Sequence, residues 1–285
     1  MRSDGNLGDR PSNQPSCESS WTVIVPFFNE RALLPDTLAS LADQSTSFDL
    51  VLVDNGSTDG SGEVATCVCA ELGLGYDLVV EPNPGKVAAL AAGVLNVKTP
   101  FVATCDADTW YPPDYLEQAG ALLARKRCVA AGAFFVDRDA GRVARLIEGL
   151  HLTLAGWLLP GQCHAGGAGE VFRADVLRRA GSFDRDRWNW ILEDHEIIHR
   201  MLKHGRMAYG LRFWSAPSAR TRDRESVSWT LLERAIYHAL GGFRSEWYFN
   251  HFLSPRLRRR QLSSDRLRQR EDVAEVADAE SYALR

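Results

Sequence analysis

Two carboxylates stand one residue apart in Asp106-Ala107-Asp108, directly after an apolar run over 101–104. The run follows Pro100 and is typical of a buried strand. Alternate side chains of an extended backbone share a face, so both acids could point into one cleft at the edge where open α/β sheets bind ligands. Two anionic oxygen donors suit a hard divalent cation that also holds phosphate oxygens. A solvated acidic turn is the alternative, and the pair alone does not decide between them.

A second acidic group, Glu193-Asp194-His195-Glu196, follows the aromatic pair Trp188 and Trp190. The pattern predicts a helix from this group to about 203. Acids in its first turn could carry out proton transfer, or they could only complement the helix dipole. His195 and His199 have the four-residue spacing of zinc ligands, but no further ligand completes such a site.

A glycine-rich segment over 161–169 lies between the two acidic groups. It holds too much glycine for a helix, and glycine lets a ligand approach the backbone closely. A flexible connector is the alternative.

The elements that must position these residues alternate between strand and helix. Apolar runs and helical spacing predict strands over 21–25, 50–53, 78–80, 101–104 and 129–134, and helices over 30–42, 64–72, 87–97 and 113–125. Residues 209–214 predict a further, late or edge strand. Strands that alternate with helices are joined by right-handed parallel crossovers. The sequence therefore predicts an α/β fold with a mostly parallel, doubly wound sheet and helices on both faces.

Composition bounds the partners and the compartment. The net charge of −4 gives no electrostatic reason to expect nucleic-acid binding, and six cysteines without a regular framework are typical of reduced thiols. No segment has the roughly 18–20 unbroken apolar residues of a membrane span; the apolar run over 146–159 instead predicts an amphipathic helix or a lid over a pocket. The polar residues 1–20 predict a disordered arm without a signal peptide. We therefore expect a cytoplasmic protein.

Four segments, in order, resemble the family-2 glycosyltransferases, which use nucleotide-sugars and have the GT-A fold. They are Val23-Ile24-Val25-Pro26-Phe27-Phe28-Asn29-Glu30, Val53-Asp54-Asn55-Gly56-Ser57-Thr58-Asp59, Asp106-Ala107-Asp108 and Glu193-Asp194. The resemblance covers about 22–224, and it implies a domain over 21–224.

The resemblance implies a role for each matching residue. The nucleotide would contact Pro26, Phe28, Glu30, Asp54, Lys86, Asp106 and Ala107; the metal ligands of Mn²⁺ or Mg²⁺ would be Asp106 and Asp108; and the acceptor would lie near Gly166, Gly167 and Trp190. Asp194 would be the general base, with Glu193 orienting the acceptor or a loop, and the reaction would invert the anomeric carbon. An apolar wall of Trp188 and Trp190 would raise the basicity of Asp194.

Departures from the family pattern refine this expectation. Asn55 stands where an aspartate is commoner, and the Gln-x-x-Arg-Trp signature of processive synthases is absent, which predicts a non-processive enzyme. The late histidine of many relatives is also absent, and Arg220, Arg222 and Arg224 are expected to cover the diphosphate instead. The family most often uses UDP-sugars, so a UDP-sugar donor is expected; the acceptor could be a lipid-linked sugar or a small molecule.

The C-terminal part lies outside the resemblance. Helical spacing predicts a helical extension over 225–255, and basic then acidic runs predict a charged tail over 256–285. Its aromatic and basic residues could make peripheral contact with the inner face of a membrane, although packing on the catalytic domain is the interpretation we favour.

Two other functions remain open at this point. The run over 51–58 loosely resembles the phosphoribosyltransferases, but it lacks the second acid and leaves the later acids without a role. A catalytically silent nucleotide-binding module of the same fold is the other alternative, and the presence of all the expected acids speaks against it.

Overall fold

The central sheet has seven strands in the computed structural model, which describes residues 19–218, 229–240 and 244–266. In spatial order they are β3 (Tyr76–Val80), β2 (Asp49–Asp54), β1 (Trp21–Phe27), β4 (Phe101–Thr104), β8 (Glu170–Arg173), β6 (Cys128–Gly132) and β9 (Arg206–Ala208). Neighbouring strands are parallel except at β8, which is antiparallel to both β4 and β6. The predicted fold class is confirmed.

Helices cover both faces of this sheet. They are α1 (Leu34–Ala42), α2 (Ser61–Leu72), α3 (Lys86–Leu95), α4 (Tyr115–Leu123), α5 (Arg142–Leu158), α6 (Ala174–Arg179) and α7 (Glu193–Leu202). Three further helices, α8 (Leu231–Leu240), α9 (Ser245–Trp247) and α10 (Ser254–Arg259), follow in the C-terminal part. Successive side chains of β1 point to opposite faces of the sheet. On one face, Val23 and Val25 pack with α1, α2 and α4. On the other face, Ile24 packs with α3, α6 and α7.

A small second sheet lies beside the first and contains β5 (Thr109–Trp110), β10 (Trp214–Pro217) and β7 (Phe134–Phe135), in the spatial order β5-β10-β7. The strand that the sequence predicts over 209–214 is wrong in position, since β10 begins only at Trp214. The residues before it form a turn in which Phe213 N–H donates to Gly210 O at 3.4 Å. This sheet joins the strand after the paired acids to the chain that follows α7.

The C-terminal helices pack on the rest of the domain, as the sequence favoured. Residues of α8 to α10 share an apolar cluster with Trp188 and Ile191, which precede α7. The predicted start of the charged tail at 256 falls inside α10, where Leu257 is fully buried. The parts of the predicted arm and tail over 1–18 and 267–285 lie outside the described residues.

Cysteine chemistry agrees with the prediction of free thiols. Cys67 is exposed, whereas Cys69, Cys105, Cys128 and Cys163 are buried, and all five are unpaired by disulfides.

Candidate active site

The paired acids lie in a turn between β4 and β5 that is held from two sides. The backbone N–H of Asp106 donates to the Tyr111 hydroxyl at 2.8 Å, and that hydroxyl donates to Ala168 O at 2.9 Å. Thr37 Oγ1 donates to Ala107 O at 2.8 Å. The buried Tyr111 ring therefore ties the acid turn to the glycine-rich segment, a role for which the sequence carried no signal.

Lys86 brings the two acidic groups together. Its Nζ lies 2.6 Å from Asp106 Oδ1 and 3.6 Å from Glu193 Oε1. Burial alone would lower the pKa of the Lys86 ammonium, but the nearby carboxylates outweigh burial and raise its pKa. The lysine at the start of α3 is thus a fixed positive charge between Asp106 and the first turn of α7.

The first turn of α7 is set by a strained residue. Leu192 has φ 66°, a left-handed conformation that is costly for a branched side chain. The chain turns sharply there, and Glu193 and Asp194 begin the helix beside Lys86. Burial raises the pKa of Glu193, against the opposing effect of the Lys86 charge.

Asp194 is oriented by its neighbour. Its Oδ1 accepts hydrogen bonds from the backbone N–H of His195 at 2.7 Å and, with the tautomer protonated there, from His195 Nδ1 at 2.9 Å. Burial raises the pKa of Asp194, but the contacts with His195 and the charge of Lys86 outweigh it and the pKa is lowered. Burial therefore acts in the expected direction, but the overall pKa of Asp194 is lowered and not raised.

The wall itself is also different from the expected one. Trp188 is buried in the C-terminal apolar cluster, while Trp190 is half-buried and forms a β-bridge with Ser263. His195 instead meets two rings of the C-terminal extension, Trp229 at 5.0 Å and Tyr237 at 5.6 Å between ring centroids. The extension thus supplies the surroundings of the residue that orients Asp194.

The glycine-rich segment reaches the site at Gly167. A Cβ there would lie 3.3 Å from Asp194 Cβ and 3.5 Å from Lys86 Nζ. At Gly166 a Cβ would lie only 2.6 Å from the Phe135 ring, which glycine alone permits. The two glycines predicted at the acceptor side therefore let this segment pack between the small sheet and the first turn of α7.

The residues expected to contact the nucleotide base lie at the carboxyl ends of β1 and β2 and in the loops that follow these strands. Pro26 lies in β1, and the half-buried Phe28 follows it. Glu30 is buried, and its backbone N–H donates to Ser61 Oγ at 2.9 Å. Asp54 ends β2, and its Oδ1 accepts the Ser57 N–H at 2.7 Å. The loops are cross-linked to each other at the carboxyl ends of adjacent parallel strands.

Asn55, the departure from the family pattern, has a structural reason. Its amide nitrogen donates to Glu81 O at 2.9 Å and Asn83 O at 2.7 Å, and its Oδ1 accepts the Gly85 N–H at 2.8 Å. A carboxylate could not donate to the two carbonyls. Asn55 thus fixes the loop that leads to Lys86.

The same loop is closed from the C-terminal side. A Cβ on Gly85, which has φ 113°, would lie 2.7 Å from Ser264 Oγ, and Ser264 Oγ also accepts the Val87 N–H at 3.4 Å. Ser264 N–H donates to Asn189 O at 3.0 Å. Residues after α10 therefore link the start of α3 to the loop before α7, a contact over a sequence distance that no local pattern predicts.

Asp108 marks the other end of the acid turn. Its carbonyl accepts the N–H of Ser218 at 2.8 Å, and Ser218 directly precedes the segment that contains the predicted arginines. Arg220, Arg222 and Arg224 themselves lie outside the described residues. Across the described ranges, no three His, Cys, Asp or Glu side chains form a ready-made metal site.

A mostly parallel sheet with acids gathered at the carboxyl ends of its strands, and a small second sheet beside it, defines a GT-A glycosyltransferase fold. The chain belongs to Glycosyl transferase family 2, whose profile matches residues 22–180.

Named relatives agree with this assignment. The chain is 26% identical over 216 residues to the uncharacterized glycosyltransferase YaiP of Escherichia coli, a match that covers 70% of this chain and 51% of YaiP. It is 24% identical to the dodecaprenyl-phosphate galacturonate synthase of Rhizobium johnstonii, covering 71% of this chain and 65% of the synthase. The chain thus spans about half to two thirds of these relatives' own length.

The fold is similar to that of a mannosyltransferase, PcManGT from Pyrobaculum calidifontis, solved in complex with GDP-Man and Mn²⁺. The TM-score is 0.64 at 22% identity, and the similarity covers 82% of this chain and 66% of the mannosyltransferase.

Proposed function

We propose that this chain transfers a sugar, without processivity and with inversion, from a nucleoside-diphosphate sugar to a hydroxyl of a lipid-linked acceptor. One observation carries the proposal: Lys86 lies between Asp106 and Glu193, and Gly167 lies against Asp194. Donor-side and acceptor-side residues of the family motifs thus meet in one place, although they are 20 to 108 positions apart in sequence.

The donor would lie along the carboxyl ends of β1, β2 and β4. Pro26, Phe28, Glu30 and Asp54 would contact the base, and Asp106 with Ala107 would contact the ribose side. Lys86 would turn from Asp106 toward the diphosphate, where its charge is most useful. Arg220, the first of the three arginines, is only two residues from Ser218 at the acid turn, which supports a role at the diphosphate.

Asp106 and Asp108 would hold Mn²⁺ or Mg²⁺. Two carboxylates beside a partly exposed turn fit a hard cation that completes its shell with diphosphate oxygens and water. The bound metal would neutralise charge on the leaving diphosphate.

Asp194 would take the proton of the acceptor hydroxyl. Oδ1 is engaged by His195, whereas Oδ2 lies 3.4 Å from the position of a Cβ on Gly167. Oδ2 is thus directed to the glycine-rich segment, where Gly166, Gly167 and the half-buried Trp190 would border the acceptor. A lowered pKa keeps the carboxylate ionised, so that it can accept the proton at neutral pH.

The class of acceptor is supported by the relatives. The galacturonate synthase is named for a dodecaprenyl-phosphate product, which is a membrane lipid. The phosphate of such a lipid is itself a nucleophile that needs no base, and this is the second candidate acceptor.

Calorimetric titration with UDP, GDP and phosphoribosyl pyrophosphate, each with and without Mn²⁺, tests the donor side. We expect UDP to bind with Mn²⁺ dependence and Asp108→Asn to abolish that dependence. Asp77→Asn, which alters an exposed aspartate on β3, is the matched control. Binding of phosphoribosyl pyrophosphate alone would favour the phosphoribosyltransferase alternative, and the binding of none of the three would contradict the proposal.

A further inference from the structure

Helix α5 presents an apolar face to solvent. We call the seven side chains that form it the α5 stripe: Val143, Leu146, Ile147, Leu150, Leu154, Trp157 and Leu158. Their exposed fractions range from 42% at Leu150 to 77% at Trp157. At 100° per residue they share an arc of about 120°, the width of the face that a helix normally buries.

The exposure is not the result of a loosely attached helix. The opposite face lies close to the domain at two glycines: a Cβ on Gly149 would lie 3.0 Å from Leu211 Cα, and a Cβ on Gly156 would lie 2.3 Å from the Tyr209 ring. The Arg145 guanidinium also lies 4.1 Å from the centre of the Trp214 ring. Small residues and one stacked arginine therefore fix which face of α5 points outward.

A contiguous apolar face of this size marks an interaction surface, since soluble proteins rarely expose one without a function. None of the helices in the described part of the chain has both the length and the hydropathy for crossing a membrane. The stripe is therefore suited to lying on a surface rather than to spanning a bilayer.

We infer that the α5 stripe docks on an anionic membrane surface. A single convex helix crosses a second copy of itself at an angle and touches it over a few residues, which buries less than the roughly 800 Å² per partner of a stable interface. A bilayer can accept the whole stripe at once. Trp157 lies at one end, as at membrane interfaces, and the exposed Arg142 lies at the other, where it can meet lipid phosphates.

The position of α5 along the chain relates membrane docking to acceptor binding, and this step rests on the proposed function. The chain passes from Leu158 to Gly167 in nine residues, and His164 Nε2 lies 3.0 Å from Leu159 O in that connection. A short stretch of chain thus connects the stripe to the glycine-rich segment, whose Gly167 lies against Asp194. Docking of α5 would then hold this segment near the membrane, where the head group of a lipid-linked acceptor lies.

The stripe also changes where membrane contact is expected. The sequence pointed to the aromatic and basic C-terminal segment, in which Tyr248, Phe249 and Leu257 are buried in the domain while Leu231, Leu232 and Trp247 are exposed. The α5 stripe is a second candidate surface beside that segment.

Cosedimentation of the full chain with vesicles tests the inference. The vesicles are equal parts of phosphatidylethanolamine and phosphatidylglycerol, compared with pure phosphatidylcholine, and they contain neither donor nor acceptor. We expect binding to the anionic vesicles, and a loss of about tenfold or more in the partition coefficient of the double variant Ile147→Glu with Leu154→Glu. The matched control changes two exposed leucines on other helices, Leu72→Glu and Leu95→Glu, and should bind as the wild type does.

Thermal unfolding checks that the variants fold, and sedimentation velocity reports their oligomeric state. Wild-type protein that binds neither vesicle, or a stripe variant that binds as well as the control, would overturn the inference. So would a dimer that the stripe variant converts to monomer while the vesicles stay unbound, because a second copy would then be the occupant. Nucleotide titration of the same samples separates the two proposals: loss of nucleotide binding with vesicle binding intact contradicts only the proposed function.

Discussion

Lys86 Nζ lies 2.6 Å from Asp106 Oδ1, and this contact joins the first turn of α3 to the end of β4. The same ammonium lies 3.6 Å from Glu193 Oε1 at the start of α7. One cation thus contacts both acidic groups, although Asp106 and Glu193 are 87 positions apart in sequence. It holds the Asp106 and Glu193 carboxylates close together.

Replacement of this cation should weaken donor binding. Lys86→Met leaves Asp106 and Glu193 without their shared positive charge and removes a donor to the diphosphate. We expect about 10- to 100-fold weaker nucleotide binding in calorimetry, the scale of a charged hydrogen bond worth about 1.5–3 kcal/mol. Lys86→Arg should retain most of the affinity, and Lys98→Met, at an exposed lysine after α3, should change nothing. Full affinity in Lys86→Met would show that the lysine has only a structural role.

The contact between His195 and Asp194 should be visible in the pH dependence of transfer. The lowered pKa of Asp194 means that activity falls only when the pH drops below the ordinary range of an aspartate, as the carboxylate is protonated. His195→Leu removes the side-chain contact with Asp194. The fall of kcat/KM on the acid side of its pH profile, the acid limb, should therefore move to higher pH. His195→Asn can still donate to Oδ1 and should move it less. An unchanged limb in His195→Leu would mean that the imidazole does not tune Asp194.

Glu170 should make stability depend on pH. It is buried at the start of β8, where burial and the charge of Asp194 raise its pKa well above the usual value. The Glu170 carboxyl therefore ionises at a lower pH in the unfolded chain than in the folded one. As a result, the free energy of unfolding falls as the pH rises from the unfolded pKa toward the folded pKa. Glu170→Gln removes this penalty, so its Tm relative to wild type should increase from pH 4 to pH 7 in scanning calorimetry, a range set by the ordinary pKa of about 4.3. A Tm difference that is constant over this range would contradict the assignment.

Much of the fold could be predicted because its strands and helices produce recognisable patterns in the local sequence. The apolar runs that became β1, β2 and β4 are buried on both faces, so they show as unbroken hydrophobic stretches. Acids directly after such runs lie at the edge of the sheet that binds ligands, which is the basis on which Asp106 and Asp108 are predicted to face one cleft. The antiparallel β8 was not predicted, since a four-residue strand after a glycine-rich segment has no distinctive period.

The supports of the site could not be predicted in the same way. Tyr111, Ser264 and Tyr237 act through partners 42 to 177 residues away in the chain, and only the folded topology brings these together. The amphipathic period over 146–159 did predict a helix. Which of its faces packs inward was decided by Gly149 and Gly156, whose small size lets the backbone approach Leu211 and Tyr209.

The most direct test of the account is the rate of sugar transfer by Asp194→Asn, measured with an identified donor and acceptor. The change keeps the size of the side chain and removes its capacity to take a proton. We expect turnover to fall about 10²-fold or more, the usual scale of general-base catalysis, with nucleotide affinity unchanged. Asp175→Asn, at an exposed aspartate in the first turn of α6, should transfer normally. Near-normal turnover by Asp194→Asn would contradict the assignment of the base and would favour an acceptor that is already ionised, such as a lipid phosphate.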